Sequence, residues 1–204
     1  MRPLALSALA AVMVAGVGAF AATTEGFTVF TTEGARRASV ERDPRPIPDL
    51  EFEDQDGRIL RLSDWRGRVV LTEFIYTRCP TICSELGQAF ARTAEMLQQP
   101  LAGDELLMLS ISFDPRHDTP AELADYARRH GADGTRWRIV RPRSTDDLEA
   151  LLARFGVVVI PDGYGGFEHN AAVQIVDGNG RLVRVIDYTP VEAAAGTVRS
   201  WLND

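Results

Sequence analysis

The 204-residue chain contains no lysine, so all 22 of its basic residues are arginines. Two further residue types are scarce: there are only two cysteines and three histidines. Two cysteines are too few to hold a chain of this length together as a disulfide scaffold. A net charge of −7 argues against the basic surface that nucleic-acid binding requires. The chemistry of the chain therefore depends on a few rare side chains.

The remaining composition is that of a globular protein. The chain is 45% hydrophobic and 25% charged, which excludes collagen-like, coiled-coil and wholly disordered proteins. Residues 49–204 contain no second linker, repeat or low-complexity tract, and we predict that they form one domain. Residues 23–48 are predicted to be an extended tether, because Pro44, Pro46 and Pro48 favour a semi-rigid, extended chain.

Only the N-terminus carries a long uncharged run, from Pro3 to Thr24. We predict that residues 1–22 are either a signal peptide, since Ala19-Phe20-Ala21 has the small-x-small pattern of a cleavage site, or a membrane anchor of about 18–20 residues. Both alternatives export the rest of the chain, because Arg2 stays inside. Exclusive use of arginine indicates a GC-rich bacterial gene. The expected location is the periplasmic side of a bacterial envelope, released after cleavage or anchored in the inner membrane.

Hydrophobic periodicity predicts alternating strands and helices. Strands are expected at 51–55, 58–62, 69–76, 106–113, 136–140, 169–176 and 181–188, and helices at 80–98, 118–130, 145–155 and 191–202. Residues 156–168 are Gly-rich and are expected to be irregular. This order predicts an α/β fold, a thioredoxin-like sandwich with an extra N-terminal β-hairpin and a Gly-rich insertion before the strand that begins at His169.

Cys79 and Cys83 are the most informative pair. Cys79 follows a predicted buried strand and is expected near a helix N-cap, with Pro80 as the first helical residue, where the helix dipole stabilises a thiolate. Cys83 would lie one turn later on the same face, with its Cβ about 5–6 Å from that of Cys79. Because a disulfide needs about 3.5–4.5 Å, the spacing favours a shared metal, although a disulfide and a pair of buried thiols remain alternatives.

A histidine is expected to complete such a metal site. His130 is predicted at a helix end, where a cation offsets the dipole, and His117 in a solvated loop. His169 opens a strand that should lie beside the cysteine helix, and we interpret it as the third ligand. Two soft thiolates and one imidazole suit Cu(I) or Cu(II), with zinc as the alternative.

Two segments have distinctive patterns: one reads Phe74-Ile75-Tyr76-Thr77-Arg78-Cys79-Pro80-Thr81-Ile82-Cys83, and the other is Ser110–Pro120. The first resembles the pattern F-x-Y-T-x-C-P-x-x-C of the Sco (SenC) family of copper-binding proteins. The second resembles that family's segment S-x-D-P-x-x-D-T-P, and His169 matches the family's downstream histidine. The sequence differs from the family at Glu168-His169-Asn170, where Asp-His-Ser is common, so hydrogen bonding around the ligand is expected to differ.

The resemblance implies a thioredoxin fold that binds copper through Cys79, Cys83 and His169. It also implies an assembly factor that delivers copper to the dinuclear site of cytochrome c oxidase subunit II, or to another copper protein, or keeps the site's cysteines reduced. A copper donor chaperone is then expected as a second partner. Contact with the membrane is expected only through the N-terminal segment, and a monomer is the default.

Two acidic residues are candidates for supporting roles. Asp114 ends a predicted buried strand and either orients the site or docks a partner, or it is a turn aspartate that accepts local backbone N–H groups. Glu73 lies within the central strand, six residues before Cys79, where many thioredoxins keep a buried carboxylate for proton transfer. If it faces inward, burial should raise its pKa and let it move protons during thiol exchange.

The competing functions differ in the use of the thiols. The first is a metallochaperone, which is not an enzyme in the sense of turnover. The second is a periplasmic thiol–disulfide oxidoreductase or thiol peroxidase that uses Cys79 and Cys83 in redox chemistry. The third is a thioredoxin-like interaction module without chemistry, against which the intact set of two cysteines and one histidine argues.

Overall fold

The computed structural model describes residues 3–24, 26, 29–79 and 82–203, and the side chains of all of these except residues 3–6, 82–84 and 203. The predictions for Pro80 as a helix start and for the side chain of Cys83 therefore lie outside the described residues. Contacts within the chain divide it into two compact units, Met1–Arg42 and Asp43–Asp204. The second unit begins at Asp43 rather than at the predicted Asp49.

The first unit contains two helices, α1 (Pro3–Thr23) and α2 (Thr32–Arg42). The prediction of an extended tether is wrong for α2, because local ion pairs and a cap stabilise a helix there. Glu33 pairs with Arg36 and Arg37 one turn later, and the Thr31 hydroxyl accepts the N–H of Gly34 at 2.9 Å. Among the described residues, no helix combines the length and apolarity needed to cross a membrane.

The second unit is built on a mixed sheet with the strand order β1-β10-β9-β4-β5-β6-β2-β3 in the described part of the chain. Strands β4, β5 and β6 are parallel, and their neighbours β9 and β2 run antiparallel to them. The strand bounds are β1 Arg45–Pro46, β2 Glu51–Asp54, β3 Ile59–Arg61, β4 Val69–Ile75, β5 Leu106–Ser112, β6 Trp137–Pro142, β7 Val159–Pro161, β8 Phe167–His169, β9 Val173–Val176 and β10 Arg181–Ile186.

Helices cover both faces of this sheet, which explains the nearly continuous apolar runs of β4 and β5. Their bounds are α3 Ile82–Met96, α4 Gln98–Ala102, α5 Pro120–His130, α6 Thr145–Phe155 and α7 Val191–Asn203. On one face, Leu71 of β4 belongs to a core cluster with Phe90 of α3 and Tyr126 of α5. On the other face, Phe74 packs edge-on against Phe155 of α6, with ring centroids 5.1 Å apart. This is the predicted α/β sandwich.

Several local predictions are confirmed and others are wrong. Strands β2 and β3 form the predicted N-terminal hairpin, and α6 begins at Thr145 as expected, with Ser144 as its N-cap. Residues 156–168 are not irregular throughout, because β7 and β8 pair there as a separate antiparallel hairpin. The long strand expected to begin at His169 is divided: His169 ends β8, and β9 begins at Val173.

Candidate metal centre

The site lies where β4 and β5 end. These strands are parallel and in register, with Ile75 beside Ser112, so the segments that follow leave the same edge of the sheet. The N–H of Phe113 donates to the carbonyl of Ile75 at 2.9 Å, which extends the pairing by one residue. The rings of Tyr76 and Phe113 consequently pack together with their centroids 5.3 Å apart.

Cys79 ends a turn that follows β4. Its N–H donates to the carbonyl of Tyr76 at 3.3 Å, and its side chain is half-buried. The described part of α3 begins at Ile82, with Cys83 in its first turn. Because residues 80 and 81 lie outside the described residues, the predicted N-cap position of Cys79 and the predicted spacing of the two Cβ atoms stay predictions.

A buried carboxylate, Asp118, fixes the turn before Cys79. It accepts the backbone N–H of Thr77 at 3.0 Å and the hydroxyl of Thr77 at 2.7 Å. The hydroxyl of Ser112 donates to the same carboxylate at 2.6 Å. Burial raises the pKa of Asp118, and the hydrogen bonds from Ser112 and Thr77 oppose this shift. Sequence analysis assigned Asp118 to the start of α5, but the N-cap is Thr119, and Asp118 instead holds the cysteine turn.

Asp114 contacts the residue next to Cys79. Its carboxylate accepts a hydrogen bond from Arg78 at 2.7 Å, and this bond raises the pKa of the guanidinium. Its second oxygen lies 2.8 Å from Nδ1 of the exposed His117. The backbone carbonyl of Asp114 accepts the N–H groups of His117 and Asp118, which any residue at this place could do. The carboxylate itself binds Arg78 of the cysteine segment, and a role of Asp114 in orienting the site or docking a partner stays a prediction.

The β7–β8 hairpin carries His169 to this edge. The His169 ring packs against the Phe113 ring, with centroids 5.0 Å apart. Phe167, two residues earlier on β8, packs edge-on against Phe113 at 5.7 Å and against Tyr76 at 5.3 Å. An aromatic cluster of Tyr76, Phe113, Phe167 and His169 therefore joins the His169 hairpin to the segment that leads into Cys79.

Burial in this cluster lowers the pKa of His169 to about 4. The imidazole is consequently neutral at physiological pH and can ligate a metal without first losing a proton. The other two histidines differ. His117 is exposed, as predicted for a solvated loop. His130 ends α5 as predicted, and burial and the neighbouring Arg129 lower its pKa.

Comparison with known proteins identifies the family. Residues 40–203 match the family model described as SCO1/SenC. The chain belongs to the SCO1/SenC family. A SCO1 protein homolog from Bacillus subtilis is 30% identical over 152 residues, which cover 72% of this chain and 75% of the relative.

Solved Sco structures share the fold. ScoI of Bradyrhizobium japonicum, solved with copper bound, aligns with a TM-score of 0.64 and 21% identity over 76% of this chain and 99% of that protein. BsSco, described as a Sco cytochrome c oxidase assembly protein with a disulfide switch, aligns with a TM-score of 0.68 and 22% identity over 79% of this chain and 95% of its own. The predicted thioredoxin-like sandwich is thus confirmed.

Within this SCO1/SenC fold, Glu73 is fully buried on β4. Its Oε1 accepts the hydroxyl of Ser110 at 2.5 Å, and that hydroxyl in turn accepts the indole N–H of Trp137 at 2.9 Å. Among the described residues, Oε2 of Glu73 has no hydrogen-bond partner. Burial raises the pKa of Glu73 to about 8. Glu73 thus faces inward, which is the condition for the proposed role, and a role in proton transfer stays a prediction.

The chemistry of the donor set fits copper. Two thiols and one neutral imidazole are the soft and borderline donors that Cu(I) and Cu(II) favour. Among the described side chains, no three histidine, cysteine, aspartate or glutamate residues are grouped as a metal site, and the side chain of Cys83 is not one of those described. The set of Cys79, Cys83 and His169 therefore stays a prediction of the sequence.

Sequence analysis missed Asp118 and the aromatic cluster as parts of the site. Thr77 and Asp118 stand 41 residues apart, and Tyr76 and Phe167 stand 91 residues apart, so no local spacing relates them. Asp118 lies in the family-like segment Ser110–Pro120, which could have indicated a role at the site. The sequence pattern predicts it only as the start of a helix.

Proposed function

We propose that this SCO1/SenC protein is an exported copper metallochaperone that binds one copper ion through Cys79, Cys83 and His169. The observation that carries the proposal is the contact between the His169 hairpin and the segment leading into Cys79, through Tyr76 and Phe167. A neutral imidazole beside two cysteines close in sequence is a donor set suited to a soft ion.

Copper is the cargo of such a protein rather than a resident cofactor. The two thiols would release their protons on binding, and His169 would add a neutral nitrogen, so that three ligands leave the ion open to a further ligand from the recipient. Asp118 and Asp114 support this function by holding Thr77 and Arg78, the two residues before Cys79.

The recipient that we propose is the dinuclear copper site of cytochrome c oxidase subunit II or another copper protein, reached on the periplasmic side of the envelope. BsSco is described as a member of a family of cytochrome c oxidase assembly proteins, and its fold is shared by this chain. A copper donor chaperone would load the protein. Either signal cleavage or an anchor at residues 1–22 is compatible with this location.

The experiment is a Cu(I) titration of the reduced full chain against a chromophoric Cu(I) chelator. We expect one copper per chain, and a loss of at least about tenfold in affinity in His169→Ala, because one of three ligands is removed. His130→Gln is the control, because His130 is not one of the proposed ligands. Its ring packs against Tyr126 instead, with ring centroids 4.3 Å apart. Equal affinity in His169→Ala and the wild type would exclude the three-ligand site.

A second candidate function is thiol–disulfide exchange, which would keep the cysteines of the recipient reduced. One observation favours it: Glu73 is a fully buried carboxyl group on β4, the strand that leads to the Cys79 turn. Rapid turnover of a disulfide or peroxide substrate by the copper-free protein would favour this function, or a peroxidase, over copper delivery.

A further inference from the structure

The β7–β8 hairpin is closed by contacts of its own. At the tip, Asp162 accepts the N–H groups of Tyr164 and Gly166 at 2.7 and 2.9 Å. At the base, Asn170 accepts the N–H of Val158 at 2.7 Å and donates to the carbonyl of Gly156 at 3.1 Å. These bonds shape the hairpin, but they do not attach its Phe167 end to the cysteine segment.

That attachment is made by Tyr76. Its hydroxyl donates to the carbonyl of Phe167 and accepts the N–H of Phe167, both at 3.3 Å. The Tyr76 ring also packs edge-on against the Phe167 ring. One side chain thus satisfies both backbone groups of a residue that lies two positions before His169 and 91 residues away along the chain.

The rings of Phe167 and His169 also pack against Phe113, whereas other parts of the hairpin are exposed to solvent. Val158 and Ile160 are more than half exposed, and Tyr164 is 97% exposed. Gly166 allows the close approach, because a Cβ at that position would lie 3.1 Å from Oη of Tyr76 and 2.5 Å from Oδ2 of Asp162. An alanine at this position would displace the Asp162 carboxylate and crowd the Tyr76 hydroxyl.

We infer that Tyr76 is a positioning residue, whose hydroxyl holds the β7–β8 hairpin in the place where His169 can join Cys79 at one metal ion. This inference rests on the proposed function, because it assigns Tyr76 a role at the copper site. Tyr76 is only three residues before Cys79, so it links the position of the hairpin directly to that of the cysteine turn.

The test compares Tyr76→Phe with Tyr164→Phe in the reduced full chain. Both variants delete one tyrosine hydroxyl, but Tyr164 is exposed on the same hairpin. We expect Tyr76→Phe to weaken Cu(I) binding about fivefold, from the loss of the bonds to Phe167, and to speed hydrogen exchange at the Phe167 amide. Tyr164→Phe should change neither quantity.

A double variant separates positioning from general destabilisation. If Tyr76 acts through His169, Tyr76→Phe should not alter Cu(I) affinity when His169→Ala is already present. Gly166→Ala provides a second perturbation from the hairpin side and should also weaken binding. An equal loss of affinity in the His169→Ala background, or wild-type affinity in Tyr76→Phe, would overturn the inference.

The two proposals fail in different ways. If the wild type binds no Cu(I), the proposed function fails. The attachment of the β7–β8 hairpin by Tyr76 is then judged from hydrogen exchange at the Phe167 amide in the copper-free protein. If the wild type binds copper but that amide exchanges equally fast in Tyr76→Phe and the wild type, the inference fails and the proposed function stands.

Discussion

Asp118 accepts both the backbone N–H and the hydroxyl of Thr77, at 3.0 and 2.7 Å, two residues before Cys79. Because the hydroxyl of Ser112 also donates to it, three donors converge on one buried carboxylate. The turn that carries Cys79 is thereby fixed to the end of β5, independently of α3. Precise placement of a ligand by the groups behind it is what a metal site requires.

We expect Asp118→Asn to destabilise the protein by about 1–3 kcal/mol, because an amide oxygen is a weaker acceptor than a carboxylate for Ser112 and the Thr77 N–H, and the Thr77 hydroxyl, facing the Asn amino group, loses its acceptor. Cys79 should also react faster with a thiol reagent as its turn loosens. Urea unfolding and thiol-labelling rates measure the two effects. Asp146→Asn, at an exposed position on α6, is the control and should change stability by less than about 0.5 kcal/mol.

The extent to which sequence predicted this site depends on the range of each contact. The strands β4 and β5 have apolar runs that identify them locally, and their parallel pairing follows from the helix between them. Asp118 lies in a recognisable sequence motif, but its hydrogen-bond partner Thr77 follows a different strand, β4. A carboxylate before Thr-Pro is equally compatible with a helix cap, so the local pattern could not decide between these roles.

The His169 hairpin was harder to predict for a similar reason. Strands β7 and β8 have three residues each, which is too short for an alternating pattern to be recognised among the glycines that surround them. The hairpin is stabilised by Asn170 at its base and by Tyr76 at its free side, and the latter contact spans 91 residues. The sequence pattern singles out His169 among the three histidines as the predicted ligand, but it did not predict that His169 ends β8.

The raised pKa of Glu73 predicts a contribution to stability that decreases as pH rises. Its folded-state pKa of about 8 lies above its ordinary value of 4.5, so the folded protein retains a proton that the unfolded chain loses between these limits. Stability from this group is present below about pH 4.5 and is lost as pH rises through 8. Glu73→Gln should therefore be more stable than the wild type by about 3 kcal/mol at pH 7, and nearly equal at pH 4.5.

Denaturant unfolding of both proteins at the two pH values measures this difference. A stability gap that does not change between pH 4.5 and pH 7 would contradict a raised pKa at Glu73. Gln is the appropriate replacement because it keeps the size of the side chain and an oxygen that can accept the Ser110 hydroxyl.

The role of Glu73 in thiol chemistry requires a separate experiment. If the carboxyl group exchanges protons with the cysteines, Glu73→Gln should slow reduction of a model disulfide and abolish any dependence of the rate on a group titrating near pH 8, while Cu(I) affinity remains that of the wild type. Stopped-flow rates across pH 6–9, beside a copper titration, measure both quantities. Identical rate profiles in the two proteins would limit Glu73 to its effect on stability.

His169 acts on stability in the opposite direction. Burial places its folded pKa at about 4, below its ordinary value of 6.5, so the unfolded chain takes up a proton first as pH falls. Its contribution is fully present above about pH 6.5 and is lost as pH falls through 4. Copper-free wild type should lose about 2 kcal/mol relative to His169→Gln between pH 7 and pH 5. A constant difference between the two proteins across this range would argue that the imidazole is solvated.

Two helical glycines should respond to alanine with opposite signs. Gly87 is buried where α3 meets α5, and a Cβ there would overlap the Tyr126 hydroxyl and lie 2.7 Å from Cε1 of His130. Tyr126 is only 2% exposed, so it cannot move aside without shifting α5. At Gly196 of α7, a Cβ would meet no atom within 4 Å.

Alanine favours a helix over glycine by about 1 kcal/mol, so Gly196→Ala should stabilise the protein by about that amount. At Gly87 the same gain is outweighed by overpacking, which costs about 1–3 kcal/mol in a filled interior, and the net change should be destabilising. Thermal unfolding of the two variants measures the contrast. A Gly87→Ala protein as stable as Gly196→Ala would mean that α3 and α5 can separate freely, and the close packing of Tyr126 and His130 against α3 would then not be required for the fold.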